Sequence, residues 1–583
     1  MHYTQGCHNR RKHGDCSGKC SDHRYPTELL GRGCSRGRET PVSRNLIQPT
    51  QPIVETSGSG MQQTLGSGPL NAEASPDGLG KRYAFKLGSS ILSWPLNLGT
   101  QLMLTRALGP TEFGSYSFLT SFFTNVIGFF DSGSSIGFYT KLCARPTDGG
   151  LKVFYWRLAG ALGVFAMLLV FALLALGWSN QLWPDQPTLC VILALLFALF
   201  TWYIGIGEKI VDAHALTARG EPLRLLVKLI GFVAFGWLFV ISKLGLVTYL
   251  ACQISLVLIQ YVLWERMLRG NGKSFYPRNS FKRLGATFYA SELWAYSHPL
   301  VVYSLVSMGG ALVDRWLLQY YAGGEQQGFY GLSYQVGAFC VLFTSAMVPL
   351  LAREFAEAHG TGDIKRMSKA FRDNLPRFYS LAAFGAVFMA LQADRISVLV
   401  GGEKFAQAAW PMALMCLYPI HQTYGQLSGS VFYATGQTRL YRNIGILSTI
   451  LGMILSGLFL LPTGLGLGST GLAYKMLLTQ LFGINIQLWF NCRFLGQSFS
   501  WFLAHQIIVL MVLAVISFSA RAVSTWTSNP ISGLIISATC YCVLVGIICW
   551  LFPRLFGLSK ADLIAAMGKG KLLISSLNSR QTI

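Results

Sequence analysis

The sequence predicts an all-α membrane protein of about fourteen transmembrane helices, built as two repeated six-helix bundles plus two C-terminal helices. Three observations carry that prediction. First, 52% of the 583 residues are hydrophobic and only 12% are charged, about half the charge that a soluble chain normally carries. Second, uncharged runs of spanning length recur from Tyr83 to the last helix, at roughly twenty residues per crossing. Third, pieces of Met103–Thr120 reappear in Ala311–Gln335. In both copies an apolar segment ends in an arginine, Arg106 or Arg315, and a short polar link leads to Gly-x-Tyr at Gly114–Tyr116 or Gly328–Tyr330. A second echo follows each copy, Ala218, Gly220, Glu221 and Arg224 against Ala434, Gly436, Gln437 and Arg439. Both pairs are offset by roughly two hundred residues, which is what a duplicated bundle requires.

Residues 1–80 are rich in Gly, Ser, Pro, Arg and Thr and cannot bury enough apolar surface to fold alone, so they are expected to be a disordered cytoplasmic tail. Met61 opens a more ordinary lead-in and is a candidate start. The Arg10-Arg11 pair has no apolar run behind it and supports no signal peptide. From there the predicted spans are 83–105, 113–131, 154–178, 188–207, 225–242 and 246–264 in the first bundle (81–264). A cytoplasmic linker (265–293) precedes 294–313, 329–351, 378–400, 408–432, 443–461 and 465–489 in the second bundle (294–492). Two extra helices, 503–520 and 531–551, lie within 493–556, and a cytoplasmic tail runs from 557 to 583. Asp394 and Arg395 interrupt the ninth span.

The formal net charge is +22. Its distribution orients the chain rather than marking a nucleic-acid partner, because the basic residues sit in alternate links instead of on one helical face. Lys81, Arg82, Lys141, Arg145, Lys365, Arg366, Arg439, Arg493, Arg554 and Lys560 fall on one side, whereas the other holds little beyond Arg106, Lys243, Arg315, Arg395, Lys404 and Arg521. Both termini are therefore expected in the cytoplasm. Four of the thirteen cysteines (Cys7, Cys16, Cys20 and Cys34) precede the first span, without a second pair at zinc spacing. The others lie in apolar runs, where cysteine packs as a small hydrophobe. No metal site and no cofactor is expected. Neither a phosphate-binding GxxxxGK loop nor an HExxH motif occurs, and no predicted outer link is long enough to hold a catalytic domain. The chain is not read as an enzyme.

Embedded polar residues carry the functional signal. Ser89, Ser90, Ser93, Pro95, Asn97, Thr100, Gln101 and Thr105 give the first span a polar side fit to line a water-filled cavity, or to bond neighbouring backbone. Its repeat mate carries Ser297, His298, Pro299, Ser304 and Ser307. Lys475 lies deep in the twelfth span, where an unpaired charge costs several kcal/mol. It is a candidate anion-binding cation, or else a structural partner of an acid such as Asp131 or Glu208. Arg106 and Arg315 are read as matching cations at the outer ends of spans one and seven, facing a phosphate or an interface lipid. Asp314 beside Arg315 and Asp394 beside Arg395 read as local neutralisation. Glu208, Asp212 and His214, at the inner end of the fourth span, could couple to protons or be solvated loop groups, and Asp131 is a further ion-coupling candidate. His421 reads as a packing residue rather than a relay.

The run Arg106-x-Leu108-Gly109-Pro110-x-x-Phe113-Gly114-x-Tyr116 resembles the first-loop signature of the polysaccharide transport flippases, exporters of O-antigen and exopolysaccharide within the multidrug/oligosaccharidyl-lipid/polysaccharide superfamily. Asp314-Arg315 with Gly328-x-Tyr330, Val400-Gly401-Gly402-x-x-Phe405, Ala434-x-Gly436 and Pro462 through Gly471 resemble later marks of that family, in order. The resemblance covers about residues 81–565. It implies two bundles around a central cavity that move a polyprenyl-pyrophosphate-linked oligosaccharide between leaflets by alternating access, with Arg106, Asp314 and Arg315 carried over as substrate-binding residues; Lys475 rests on burial alone. The implied partners are the lipid-linked oligosaccharide, membrane lipids, and a polysaccharide polymerase with its chain-length machinery; no nucleic acid is implied. The rival readings are a multidrug exporter of the same superfamily and a membrane polysaccharide polymerase or ligase. The first would want an acidic cavity and twelve spans; the second would want a long outer loop.

Overall fold

Two helices of 53 residues, α1 (Leu79–Asp131) and α8 (Ala286–Ala338), form the axis of the molecule. Each is two spans joined by a glycine elbow. Gly109 (φ 69°, ψ 179°) breaks α1 and Gly323 (φ 80°, ψ 178°) breaks α8, in a backbone region open essentially to glycine alone. The computed structural model describes residues 79–276, 285–341, 348–524, 527, 529–561 and 564. The N-terminal cysteines, Met61, Arg10-Arg11, part of the linker and the C-terminal tail lie outside the described residues, as do the side chains of Lys81, Arg82, Ser90, Ser297, His298 and Pro299.

The first half continues through α2 (Ser134–Ala144), α3 (Gly149–Ala175), a single turn α4 (Ser179–Leu182), α5 (Thr188–Ala213), α6 (Thr217–Val240) and α7 (Leu246–Gly270). Polar side chains set some of the starts: Asp148 accepts from the Leu151 amide at 3.0 Å and so caps α3. The second half contains α9 (Val348–Gly360), α10 (Ile364–Leu391), the short α11 (Ala393–Gly401), α12 (Ala409–Ala434), α13 (Thr438–Leu460) and α14 (Gly468–Leu495). Two further helices, α15 (Phe499–Val523) and α16 (Pro530–Leu551), follow. They share an apolar core with α10 and α12, in which Phe371, Tyr379, Tyr424, Phe502, Val509 and Tyr541 are all buried.

All fourteen expected spans fall on helix, the eighth being interrupted by residues outside the described set, and no strand occurs among the described residues. Seven helices are apolar and long enough to cross a bilayer by themselves, or eight if the bent pair α10 and α11 counts as one span. The remainder belong to α1, α8, α12 and α14, which carry more polar residues along their length. The ninth span differs from expectation. α10 ends at Leu391, and Asp394 and Arg395 open a separate helix, α11, bent by 74°. They do not neutralise one another. Asp394 receives a two-pronged pair from Arg521 of α15 at 2.8 and 2.7 Å, and Arg395 donates to Ser524 Oγ at 2.6 Å.

The halves meet at the elbows. A Cβ added to Gly114 would stand 1.8 Å from the Gly324 carbonyl oxygen, and one added to Gly328 would stand 2.0 Å from that of Pro110. The repeated Gly-x-Tyr is therefore a backbone-to-backbone contact that no side chain fits.

Candidate functional site

Two polar cavities flank α8. One, of about 400 Å³, lies between the halves. It is lined by Ser117, Thr120, Ser121, Thr124 and Asn125 of α1 and by Asp314, Arg315, Tyr330, Tyr334 and Gln335 of α8. The other, of about 480 Å³, lies inside the second half, among α8, α12, α13 and α14. Asp314, Gln422, Gln426, Ser448, Thr449, Lys475, Thr479 and Gln487 contribute to its wall.

Asp314 belongs to both walls. Its Oδ2 accepts from Lys475 Nζ, and its Oδ1 accepts from Ser456 Oγ at 2.5 Å. Lys475 (8% exposed) and Asp314 (6%) are thus a buried pair between the cavities. Gly452 makes room for it, since a Cβ there would lie 2.9 Å from Lys475 Cε. Lys475 therefore has a carboxylate partner, and it is Asp314 rather than Asp131 or Glu208.

Arg315 points the other way, into the cavity between the halves. Its guanidinium lies 4.5 Å from the Tyr330 ring centre and 5.8 Å from that of Tyr334, and it donates to Gln327 Oε1 at 3.2 Å. Among the described residues no carboxylate forms an ion pair with it, although Asp314 is its chain neighbour. The arrangement presents a cation on an aromatic shelf, opposite the hydroxyls and amide of α1. Such a surface suits an oxyanion attached to a polar, hydroxyl-rich body.

Arg106 is not its counterpart. Measured from the elbows, Arg106 lies three positions before Gly109 and Arg315 eight before Gly323. The positions in α1 that match Asp314 and Arg315 are the uncharged Thr100 and Gln101. Arg106 lies outside both cavities and donates to the Leu399 carbonyl at 2.8 Å, while Thr105 Oγ1 donates to that of Val400 at 2.8 Å. Both close the C-terminal end of α11. Among the described residues the first span lines neither cavity, and Ser89, Ser93 and Thr105 are instead buried against protein. The hydroxyl face comes instead from the second span. Its spacing, Ser117, Thr120, Ser121, Thr124 and Asn125, is a helical stripe and was available in the sequence.

The ion-coupling candidates lie in the first half and all have partners. Asp131 Oδ1 accepts from Tyr155 at 3.0 Å and from Trp202 at 3.2 Å, and its Oδ2 accepts from Ser135 at 2.8 Å. Asp212 accepts from Lys86 at 3.2 Å and from Thr217 at 2.8 Å, and Glu208 accepts from Arg224 at 2.9 Å. His214 Nε2 meets Lys152 Nζ at 2.9 Å. None of these side chains borders either cavity.

The elbowed repeat around a cavity is a fold shared with solved transporters and a solved flippase. The structure of a lipid II flippase, MurJ, in an inward closed conformation superposes with a TM-score of 0.59 at 11% identity, over 80% of this chain and 99% of that one. An inward-facing multidrug resistance MATE family transporter gives 0.56 at 12%, over 69% and 94%. A superfamily transporter from Pyrococcus furiosus, reported with a binding pocket of reversed polarity, gives 0.52 at 13%, over 72% and 96%. At such identities the likeness is one of fold. Residues 79–353 match the model of a family described as polysaccharide biosynthesis protein, which bears out the resemblance carried by the motifs around Arg106, Gly114, Asp314 and Gly328. No curated protein sequence matches the chain.

Proposed function

We propose that this protein is a flippase that carries a polyprenyl-pyrophosphate-linked oligosaccharide across the bacterial inner membrane for surface polysaccharide assembly. The single observation that carries the reading is Arg315: a cation with no carboxylate ion pair among the described residues, on a tyrosine shelf, facing a hydroxyl-lined cavity between two repeated halves. The guanidinium pairs with the pyrophosphate, and Ser117, Thr120, Ser121 and Asn125 bond the sugars. The polyprenyl tail stays in lipid. Lys475 is a second cation, held in reserve by Asp314, and it becomes available to the anion when Asp314 is satisfied otherwise.

Alternating access follows from the repeat. In this arrangement the elbows touch, Gly114 against Gly324 and Gly328 against Pro110; rocking one half against the other separates them and opens the cavity at that end. A cation exporter is disfavoured because Asp314, the one carboxylate on either wall among the described residues, already holds a lysine. The test is the leaflet accessibility of lipid-linked oligosaccharide in cells lacking the protein, and then with wild type or Arg315→Gln restored. The sugar is expected to accumulate facing the cytoplasm, to be relieved by wild type, and to persist with the variant although it inserts normally. Unchanged orientation with altered polymer length or drug resistance would refute the reading.

A further inference from the structure

The second half contains a buried polar cluster that the proposed substrate site does not use. Tyr379 of α10 is its centre. The ring centre of His421 (α12) lies 6.2 Å from that of Tyr379, that of Tyr424 (α12) 5.2 Å, and that of His505 (α15) 6.2 Å. All four are at least nine-tenths buried. Yet Tyr379 Oη, His421 Nδ1 and His505 Nε2 each lack a hydrogen-bond partner. An unmade bond on a buried polar atom costs on the order of 1–3 kcal/mol, and three around one ring are not sustained without water or a proton. The cluster also adjoins the inner cavity. Gln422 and Gly425 of α12 line that wall, and Gln487 of α14 lines it with a buried, unpartnered Oε1. A polar site beside a wet cavity, with several converging partners, is the setting in which buried water is held.

We propose that His421 and His505, bridged by water around Tyr379, form a proton-binding site that couples movement of the second half to a proton gradient. The coupling rests on the transport reading; the protonation site does not. The step balances simply. A proton leaves a water chain in the inner cavity, an N–H bond forms at His421 Nδ1 or His505 Nε2, and the same proton later returns to water. The titratable neighbours are Tyr379 and Tyr424 and, from α14, Cys492; among the described residues no carboxylate, lysine or arginine forms an ion pair with either imidazole. Each proton therefore adds a full positive charge between α10, α12, α14 and α15. α12 and α14 also form the wall that holds Lys475, so a charge that shifts these helices against α10 and α15 moves the wall on which the Asp314–Lys475 pair sits.

The test begins without substrate. Histidine C2-hydrogen exchange is followed by mass spectrometry on the purified full chain from pH 3 to 9, with the half-buried His359 of α9 as the internal control. Both His421 and His505 are expected to exchange along sigmoidal pH profiles, and Tyr379→Phe is expected to shift the His421 midpoint by at least threefold in proton affinity. A dry packing pair would show no exchange while His359 exchanges, and that result overturns the site. The coupling is read in proteoliposomes containing a lipid-linked oligosaccharide. An imposed pH gradient accelerates flipping by wild type several-fold, and His421→Gln keeps the gradient-independent rate but loses the acceleration. Gradient-insensitive wild type overturns the coupling. Wild type that moves no lipid-linked sugar at all refutes the flippase reading, and the exchange profiles then decide the proton site by themselves.

Discussion

At the level of single residues the decisive pair is Asp314 and Lys475. Two opposite charges removed from water tolerate each other only together, so removing one strands the other. Lys475→Met is expected to destabilise the purified protein by about 3–5 kcal/mol through the stranded carboxylate. Adding Asp314→Asn in the same chain should restore most of that loss, as a thermal melt of the single and double variants would show. If the double variant is no more stable than Lys475→Met, the pair is not the reason for the burial. Flipping should separate the two roles, since the double variant regains stability without regaining the cation. The depth of Lys475 was readable from GLAYKMLLTQ alone. Its partner was not, because Asp314 lies 161 residues away on another helix, and sequence spacing says nothing about which helices face each other.

At the level of elements, the short α11 is clamped at both ends. Arg521 of α15 holds Asp394 at its start, and Thr105 and Arg106 of α1 hold its last carbonyls. The clamp ties the first half to the two extra helices across the elbow end. Arg106→Ala should therefore leave substrate affinity unchanged. It should weaken closure of that end by about 1 kcal/mol, roughly fivefold in population, in keeping with one charge-assisted bond at an exposed site. Accessibility of an introduced thiol beside the elbow, such as Thr111→Cys, measures it. A fall in affinity with no change in thiol accessibility would return Arg106 to the substrate site. The elbows make a stronger case. Gly328→Ala places a methyl 2.0 Å from the Pro110 oxygen, and backbone cannot yield as a side chain does. A loss of about 1–3 kcal/mol is expected, together with a molecule biased open at the elbow end. Wild-type melting and accessibility would show that the helices pack less tightly there.

Over the whole molecule, the helix count, the repeat and the class of fold were legible because each rests on periodicity or composition, which a single chain displays. What faced the cavity was less legible. The first span carries more polar residues than the second, yet Ser89, Ser93 and Thr105 are buried against protein, and the second span's hydroxyl stripe reaches the cavity. Polarity marks a helix that avoids lipid without saying whether water or another helix meets it. Likewise the two arginines looked equivalent when aligned on each other, whereas the elbow glycines and the Gly-x-Tyr copies, both 214 residues apart, supply the right register. That register yields the test of the whole mechanism. The Cβ that Gly331 lacks would lie 2.8 Å from the Ser117 Cβ, so a cysteine at each position is within reach of a disulfide after a shift of about 1 Å. In a chain otherwise freed of cysteine, oxidising Ser117→Cys/Gly331→Cys pins the two halves together at the elbow end. If they must part there in every cycle, oxidation should stop flipping completely and a reductant should restore it, whereas each single variant responds to neither. Undiminished flipping in the fully crosslinked protein would mean that the cavity exchanges its contents without separating the repeats, and rocking of the halves would have to be abandoned.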